Sequence, residues 1–513
     1  MTTEKNANLY ALLATGFPKD RSSCCIETHD GLYYSWDDLE QATAKLANLL
    51  AGLKLPAGSR VAVQVEKSPE ALFLYLATLR AGLVYLPLNT AYRAAEMDYF
   101  IDNAKPAVVV CTTANLPWVE PLAKKHGARK VYTLETDRSG TLLEQAAGLP
   151  GRFKTVTSKP GDIAAILYTS GTTGRSKGAM LTHGNLSSNA LVLHKYWGWS
   201  RQKRGSDVLL HTLPIFHVHG LFVASHCALL SGSKMIWLPK FDAGEVVRRL
   251  PQATVFMGVP TYYVRLLADP DFNRAACRRM RLFISGSAPL LTETFQTFQA
   301  RSGHTILERY GMSETIMLTS NPYDGVAAEV RHGGTVGLPL PGVRLRVVDD
   351  AGQPCGTDGI GHIQVQGPNV FAGYWQMPEK TREEFTEDGY FRTGDVGKID
   401  AQGYVTIIGR SKDLIISGGY NVYPKEIESF LDEMPGVAES AVIGVPHPDF
   451  GEAVVAVVVP RPGAKPDAQE LIRQLKDKIA NFKVPKQIHL AAELPRNTMG
   501  KVQKNVLRKQ YGE

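Results

Sequence analysis

The segment Thr169-Ser170-Gly171-Thr172-Thr173-Gly174-Arg175-Ser176-Lys177-Gly178 packs three glycines, a run of hydroxyls and two cations into ten residues. Small residues let backbone amides turn toward an anion. The hydroxyls add donors, and Arg175 and Lys177 add charge. A polyphosphate needs this combination. The nucleotide loop of the Walker type is excluded by direct test, because the position that must be its second glycine is Ser176. The run Ile163 to Tyr168 just before the loop reads as a buried strand. The loop is therefore held at a strand end and is more than a surface turn.

The rest of the chain must position such a loop. Its 513 residues suggest roughly three units of ~150 residues, or one large unit and a small one. With 44% apolar and 21% charged residues, it is neither disordered, collagenous nor a disulfide mini-protein. The formal charge of +7 is a mild excess that fits anionic small molecules such as nucleotides as well as it fits nucleic acid. Six scattered cysteines, with no CxxC pair and no Cys/His cluster, read as reduced thiols, and a cytoplasmic location is expected. The N-terminus reads as lacking a secretion signal. No run approaches the ~18 apolar residues of a membrane span.

Ser35 and Asp38 form a capping box ahead of a helix with Leu39, Ala42, Leu46, Leu49 and Leu50 on one face. Strands are expected at Val61–Val65 and Val108–Cys111, with a helix from Ser68 to Arg80 between them. This alternation argues for α/β layers. After about residue 330 short Gly-punctuated β segments follow: Val343–Val348, His362–Gln366 and Tyr404–Ile408. A last α/β unit holds strands at Leu414–Ile416, Ala438–Val445 and Ala453–Val459, with helices at Pro424–Leu431 and Glu470–Asn481. The expected fold is α/β. A large N-terminal domain of layered α/β subdomains plus a β-rich subdomain spans 1–409, a hinge spans 410–413, and a small mobile α/β C-terminal domain spans 414–513.

The loop resembles the phosphate loop of the adenylate-forming enzymes, which include acyl-CoA synthetases, luciferases and peptide-synthetase adenylation domains. Further segments resemble that superfamily in its own order. These are Leu213–Gly220, Ser285–Leu290, Glu308–Thr315, Tyr390–Asp395, Gly409–Asp413 and Leu494–Lys501. The resemblance implies ATP bound by Thr169, Ser170, Gly171, Thr172, Thr173, Gly174, Lys177, Ser287, Ala288, Glu308, Arg309, Tyr310, Gly311, Ser313, Asp395 and Arg410. It makes Glu314 the magnesium contact and Lys501 the catalytic lysine, with Thr169 and Lys177 assisting. Gly418 and Gly419 would border the thiol of coenzyme A, and Lys412 would be the hinge. Taken singly, most of these residues would be assigned to turns, surface ion pairs or core packing. The superfamily positions give them functional roles.

For the acid, the stretches around Pro214–Phe222, Met280–Leu290, Glu308–Thr315, Gly367–Phe371 and Asn497–Lys504 resemble malonyl-CoA synthetases. A dicarboxylate needs a buried cation, and a guanidinium meets a carboxylate with two parallel bonds. Arg281 is expected to supply it, with His217, Ser285, Gly286 and Met312 lining the pocket. The implied activity joins malonate to coenzyme A through malonyl-adenylate, releasing AMP and pyrophosphate. Three alternatives stand beside it: a synthetase for another short or aromatic acid, a stand-alone enzyme loading a carrier protein, and a non-catalytic nucleotide sensor. The chain ends soon after Lys501, which favours free coenzyme A over a carrier. Lys501 is also a candidate target of a lysine acetyltransferase and deacetylase, because acetylation removes its charge. Neither nucleic acid nor membrane is expected as a partner.

Overall fold

The computed structural model describes residues 6–169, 176–324, 331–417, 420–447, 451–497 and 500–512. The run Pro69–Arg80 is apolar around most of its circumference, so a helix there must be covered on every side. It starts at Ser68, whose Oγ accepts the Ala71 amide at 3.1 Å, with Pro69 in the first turn, and all twelve helical residues are buried. Its side chains share one core with residues from two sheets. One sheet orders Lys130–Thr133, Val108–Cys111, Arg60–Gln64, Val84–Pro87, Ile163–Thr169 and Lys177–Thr182; every pair is parallel except the last. The other has nine strands. Its parallel centre runs Cys24–Thr28, Lys234–Trp237, Val208–His211, Val255–Gly258, Leu282–Ser285 and Leu307–Tyr310. The capping box at Ser35 and Asp38 is present and opens the helix Trp36–Gly52.

In open parallel sheets, ligands bind beyond the carboxyl ends of the strands. Three segments singled out in the sequence leave their sheets there: the loop after Thr169, the turn after Ser285, and the turn after Tyr310. The β segments beyond 340 form an antiparallel sheet of Arg344–Val348, Gly361–Gln366, Phe391–Ile399 and Val405–Arg410.

A 3₁₀ turn, Ser411–Asp413, leads to the C-terminal sheet. Its long pair, Val437–His447 and Gly451–Pro460, is antiparallel, with a register shift between Val437 and Glu439. Val442, Val454, Ala456 and Val458 pack under the helices Pro424–Asp432 and Ala468–Lys476, whereas Ala441, Ile443, Val455 and Val457 pack under Lys504–Tyr511. Both faces are covered, which explains the near-continuous apolar run. The helix expected over Glu470–Asn481 ends at Lys476 instead, where the Lys478 amide turns back three residues to the Leu475 carbonyl at 2.9 Å and tightens the last turn. Among the described residues no helix is long and apolar enough to cross a membrane.

Candidate active site

The strands flanking the phosphate loop pair with Thr169 opposite Lys177, so both residues stand at the open end of one ladder. The loop residues Ser170, Gly171, Thr172, Thr173 and Gly174 lie outside the described residues, as do Gly418 and Gly419. Lys177 Nζ lies 3.3 Å from Glu384 Oε1 and 4.5 Å from the centre of the Tyr374 ring. The segment carrying Tyr374 is zipped to the same edge. Met180 and Ala372 exchange bonds with Gly373 and Met180 carbonyls at 2.9 Å, and the Trp375 amide reaches the Gly178 carbonyl at 2.7 Å.

Glu314 is buried behind this edge. Tyr374 Oη donates to its Oε1 at 3.0 Å, and the Phe371 amide donates to its carbonyl at 2.8 Å. Burial pushes the Glu314 pKa up; hydrogen bonds and the nearby Arg410 and Lys177 oppose that rise. Gly311, in the turn before it, admits no side chain, since a Cβ would stand 1.9 Å from the Ile316 carbonyl oxygen. Ser313 and Met312 are half-buried in the same turn. Asp395 faces Arg410 across the neighbouring ladder, with Arg410 Nε 2.7 Å from its Oδ1, and Tyr310 Oη donates to its Oδ2. The two residues expected at the ribose are thus one ion pair, and the expected adenine platform is tied to the same carboxylate.

The acyl side holds the principal correction. Arg281 precedes its strand, roughly 13 Å from Ser285 at ~3.3 Å per residue, and so sits at the end away from the site. Its Nε and Nη2 each donate to Asp207 at 2.7 Å, and Nη1 donates to the Trp197 carbonyl at 3.1 Å. The guanidinium lies against the rings of Trp199 and Tyr323. With its donors committed to a buried aspartate, Arg281 ties strands together and is not the anchor for a substrate carboxylate.

Arg309 is placed differently. It is 2% exposed, and its Nε and Nη2 have no hydrogen-bond partner among the described residues. Its guanidinium lies against Gly286, where a Cβ would come within 2.5 Å of Cζ. Burial pulls its pKa down to about 9, which still leaves it a cation at neutral pH. The sequence reading placed Arg309 among the nucleotide contacts. An arginine inside a strand that must be buried was the available sign of a second role. Around it, Ser285 Oγ is buried without a partner among the described residues, and Ser287, held at φ +73°, brings its Oγ 3.5 Å from His219 Nδ1. Ala288 is half-buried in the same turn. His219 is kept neutral by burial and by Arg309. His217 is held down to about 3, first by burial and then by Lys501.

Lys501 arrives on a tight turn. The Asn497 amide donates to the Lys501 carbonyl at 2.9 Å, the Gly500 amide donates to the Asn497 carbonyl at 2.9 Å, and Gly500 adopts φ +74°. A Cβ on Gly500 would lie 3.5 Å from Thr261 Oγ1, so this turn rests on the large unit. Lys501 is exposed at the surface, with charged groups of the large unit close by. Burial first, and then Arg410 and Arg309, lower its pKa, while Asp395 and Glu314 oppose them. Lys501, Glu314, Asp395, Arg410 and Arg309 therefore meet in one cleft.

Glu308, two residues before Tyr310, is fully enclosed. It accepts the Leu290 amide at 3.2 Å, and burial raises its pKa to about 8. The unfolded chain would ionise this group near 4.5, so folding loses stability as pH climbs from about 4.5 through about 8. Glu308→Gln removes that titration. Denaturant titrations should show the stability of the variant relative to the parent rising by more than about 1 kcal/mol between pH 5 and 9. A pH-independent difference would place the carboxyl in water.

Residues 14–375 match the AMP-binding enzyme family, and residues 426–501 match its C-terminal domain. The chain is 34% identical to the malonate–CoA ligase of Arabidopsis thaliana, covering 99% of this chain and 90% of that one. It is also 34% identical to a feruloyl-CoA synthase of Amycolatopsis, covering 94% and 95%. The crystal structure of ATP-bound MatB from Rhodopseudomonas palustris superposes with a TM-score of 0.95 at 54% identity, covering 99% of each chain, while its apo form superposes at 0.84. The chain belongs to the AMP-binding enzymes, the adenylate-forming superfamily that its motifs resemble.

Proposed function

We propose that the protein is an ATP-dependent malonate–CoA ligase. The observation that carries the choice of acid is Arg309, a buried cation with two nitrogens that have no partner among the described residues, held against Gly286 at the end of the strand that leads into the pocket. Leaving such a charge unpaired costs several kcal/mol, whereas a carboxylate at the far end of a short acid would satisfy it. The names of the Arabidopsis relative and the function of the superfamily support the same reading.

In the first step one malonate carboxylate attacks the α-phosphorus of ATP and pyrophosphate leaves. Lys501 stabilises the charge that develops between the two anions. Thr169, Lys177 and the loop between them hold the β- and γ-phosphates. Asp395 and Arg410 hold the ribose, and Tyr310, Gly311, Ser287 and Ala288 border the adenine. Magnesium is normally bound by one or two carboxylates plus nucleotide phosphates. A single buried carboxylate, Glu314, fits a metal that arrives with the nucleotide, and the ion would supply charge neutralisation there. In the second step the thiol of coenzyme A displaces AMP, with Gly418 and Gly419 beside it. We place the hinge for this exchange at 410–413, between the domains 1–409 and 414–513. The Ser411–Asp413 turn supports that placement, with Lys412 at its centre and Asp413 tied to Arg508 at 2.9 Å.

Acetylation of Lys501 by a lysine acetyltransferase would silence the first step, and the lysine is exposed to such an enzyme. The six cysteines are free thiols, which suits the cytoplasm.

The second reading, a ligase for an aromatic acid, has the feruloyl-CoA synthase relative in its favour. A panel of malonate, methylmalonate, succinate, propionate and ferulate, assayed for pyrophosphate release with and without coenzyme A, decides between them. Malonate should exceed propionate and ferulate at least a hundredfold in kcat/KM, and thioester should form with coenzyme A alone. A preference for ferulate, or a requirement for a carrier protein, would overturn the assignment.

A further inference from the structure

We propose that Tyr374 is a positioning residue for adenylate formation, holding Glu314 and Lys177 in one fixed relation. Nothing in its spacing marks it, since it lies sixty residues from Glu314. Yet this one side chain meets two of the groups assigned to the phosphates and their metal. Its hydroxyl donates to Glu314 Oε1 at 3.0 Å in a buried setting, and its ring lies 4.5 Å below Lys177 Nζ. A hydrogen bond to a buried carboxylate is among the stronger kind, and it holds that carboxylate in one orientation. An ammonium over an aromatic face is held by the ring's quadrupole without losing a donor, so the ring leaves the Lys177 protons to oxygens, Glu384 Oε1 at 3.3 Å among them.

The tyrosine is itself fixed. Its amide donates to Thr381 Oγ1 at 2.9 Å, and that hydroxyl donates to the Met377 carbonyl at 2.9 Å. A bridge to Ala179 fastens its backbone to the strand that carries Lys177, and Phe371 packs edge-on against its ring. The Phe371 amide in turn holds the Glu314 backbone. The short segment 371–374 thus joins the phosphate strand to the carboxylate through both main chain and side chain.

The inference rests on the reading of Lys177 and Glu314 given above, so Tyr374→Phe is measured beside Glu314→Gln. Tyr374→Phe keeps the ring and loses only the hydroxyl. Pyrophosphate release with malonate should fall about ten- to a hundredfold. The malonate KM, and thioester formation from supplied malonyl-adenylate, should stay within twofold. Calorimetric ATP affinity should weaken at least fivefold with magnesium present and stay unchanged in EDTA. Thr381→Ala, which frees the Tyr374 amide, should repeat the pattern by several-fold and keeps the test open if the first variant folds poorly. Equal loss in both half-reactions, or no loss in either, would overturn the positioning role while leaving the ligase reading intact. Unimpaired adenylation in Glu314→Gln would instead overturn the reading of the site itself.

Discussion

Lys501→Ala should lose pyrophosphate release with malonate by about a hundred- to a thousandfold and still convert supplied malonyl-adenylate to the thioester at close to the parent rate. The asymmetry follows from where the charge is needed. In the first step a carboxylate approaches a phosphate, and two anions that repel must share a cleft. A preorganised donor aimed at such charge is typically worth ~3–4 kcal/mol. Lys501 is set among Glu314, Asp395, Arg410 and Arg309, and a neutral His217 stands beside it. In the second step a thiol attacks a mixed anhydride that is already activated, and no partner in that reaction needs the ammonium. Pyrophosphate release and thioester formation from supplied adenylate are the two measurements. Equal loss of both would show that the lysine serves the architecture of the cleft. Stoichiometric acetylation at the same nitrogen should reproduce the alanine phenotype.

Arg309→Met should lower kcat/KM for malonate by at least a hundredfold while leaving propionate within a few-fold, because only the diacid brings a second charge to pair. Removing one partner of a desolvated ion pair typically costs ~3–5 kcal/mol. Methionine fills much of the same volume, and the change deletes a buried cation with uncommitted nitrogens, so the melting temperature should hold or rise. Arg281→Met should do the opposite. It strands Asp207, whose side chain is 3% exposed, and should lower the melting temperature while the malonate-to-propionate ratio stays put. Equal losses on both acids in Arg309→Met, or a specificity change in Arg281→Met, would return the anchor to the position first expected from the sequence.

The contrast between these two arginines shows where linear reading stops. Both lie in or beside apolar strands of similar appearance, and both fit a basic group at the floor of a pocket. A strand has a direction, and in a parallel sheet only its carboxyl end opens onto the ligand. Arg281 precedes Leu282, whereas Arg309 is interior to Leu307–Tyr310 and reaches Gly286 of the neighbouring strand's turn. Asp207 lies 74 residues before Arg281, and no spacing rule links them. Tyr374 was overlooked for the same reason. Its two contacts depend on the strand Lys177–Thr182 lying beside a segment almost two hundred residues later.

Local signals were readable wherever a single segment determines them. Ser68 and Pro69 announce a helix start, and Ser35 with Asp38 announces another. The glycines, hydroxyls and cations after Tyr168 define an anion cradle by composition. The apolar run Ala453–Val459 gave a strand, and the structure explains its lack of alternation by covering both faces. The end of the helix after Ala468 was misjudged, because a tightened last turn uses ordinary residues and leaves no mark in the pattern.

By itself, then, the sequence determined the α/β class and the order of the motifs, and the resemblance of those motifs pointed to the adenylate-forming superfamily. The first two depend on residue type and near spacing, which hydrophobic periodicity and turn chemistry control over a few residues. The tertiary structure alone decided which arginine spends its donors on Asp207 and which keeps nitrogens without a partner among the described residues, which tyrosine meets Glu314, and which charges stand near Lys501. Each of those is a choice between chemically similar groups. The choice is made by which strand ends open together and which side chains exhaust their hydrogen bonds on distant neighbours.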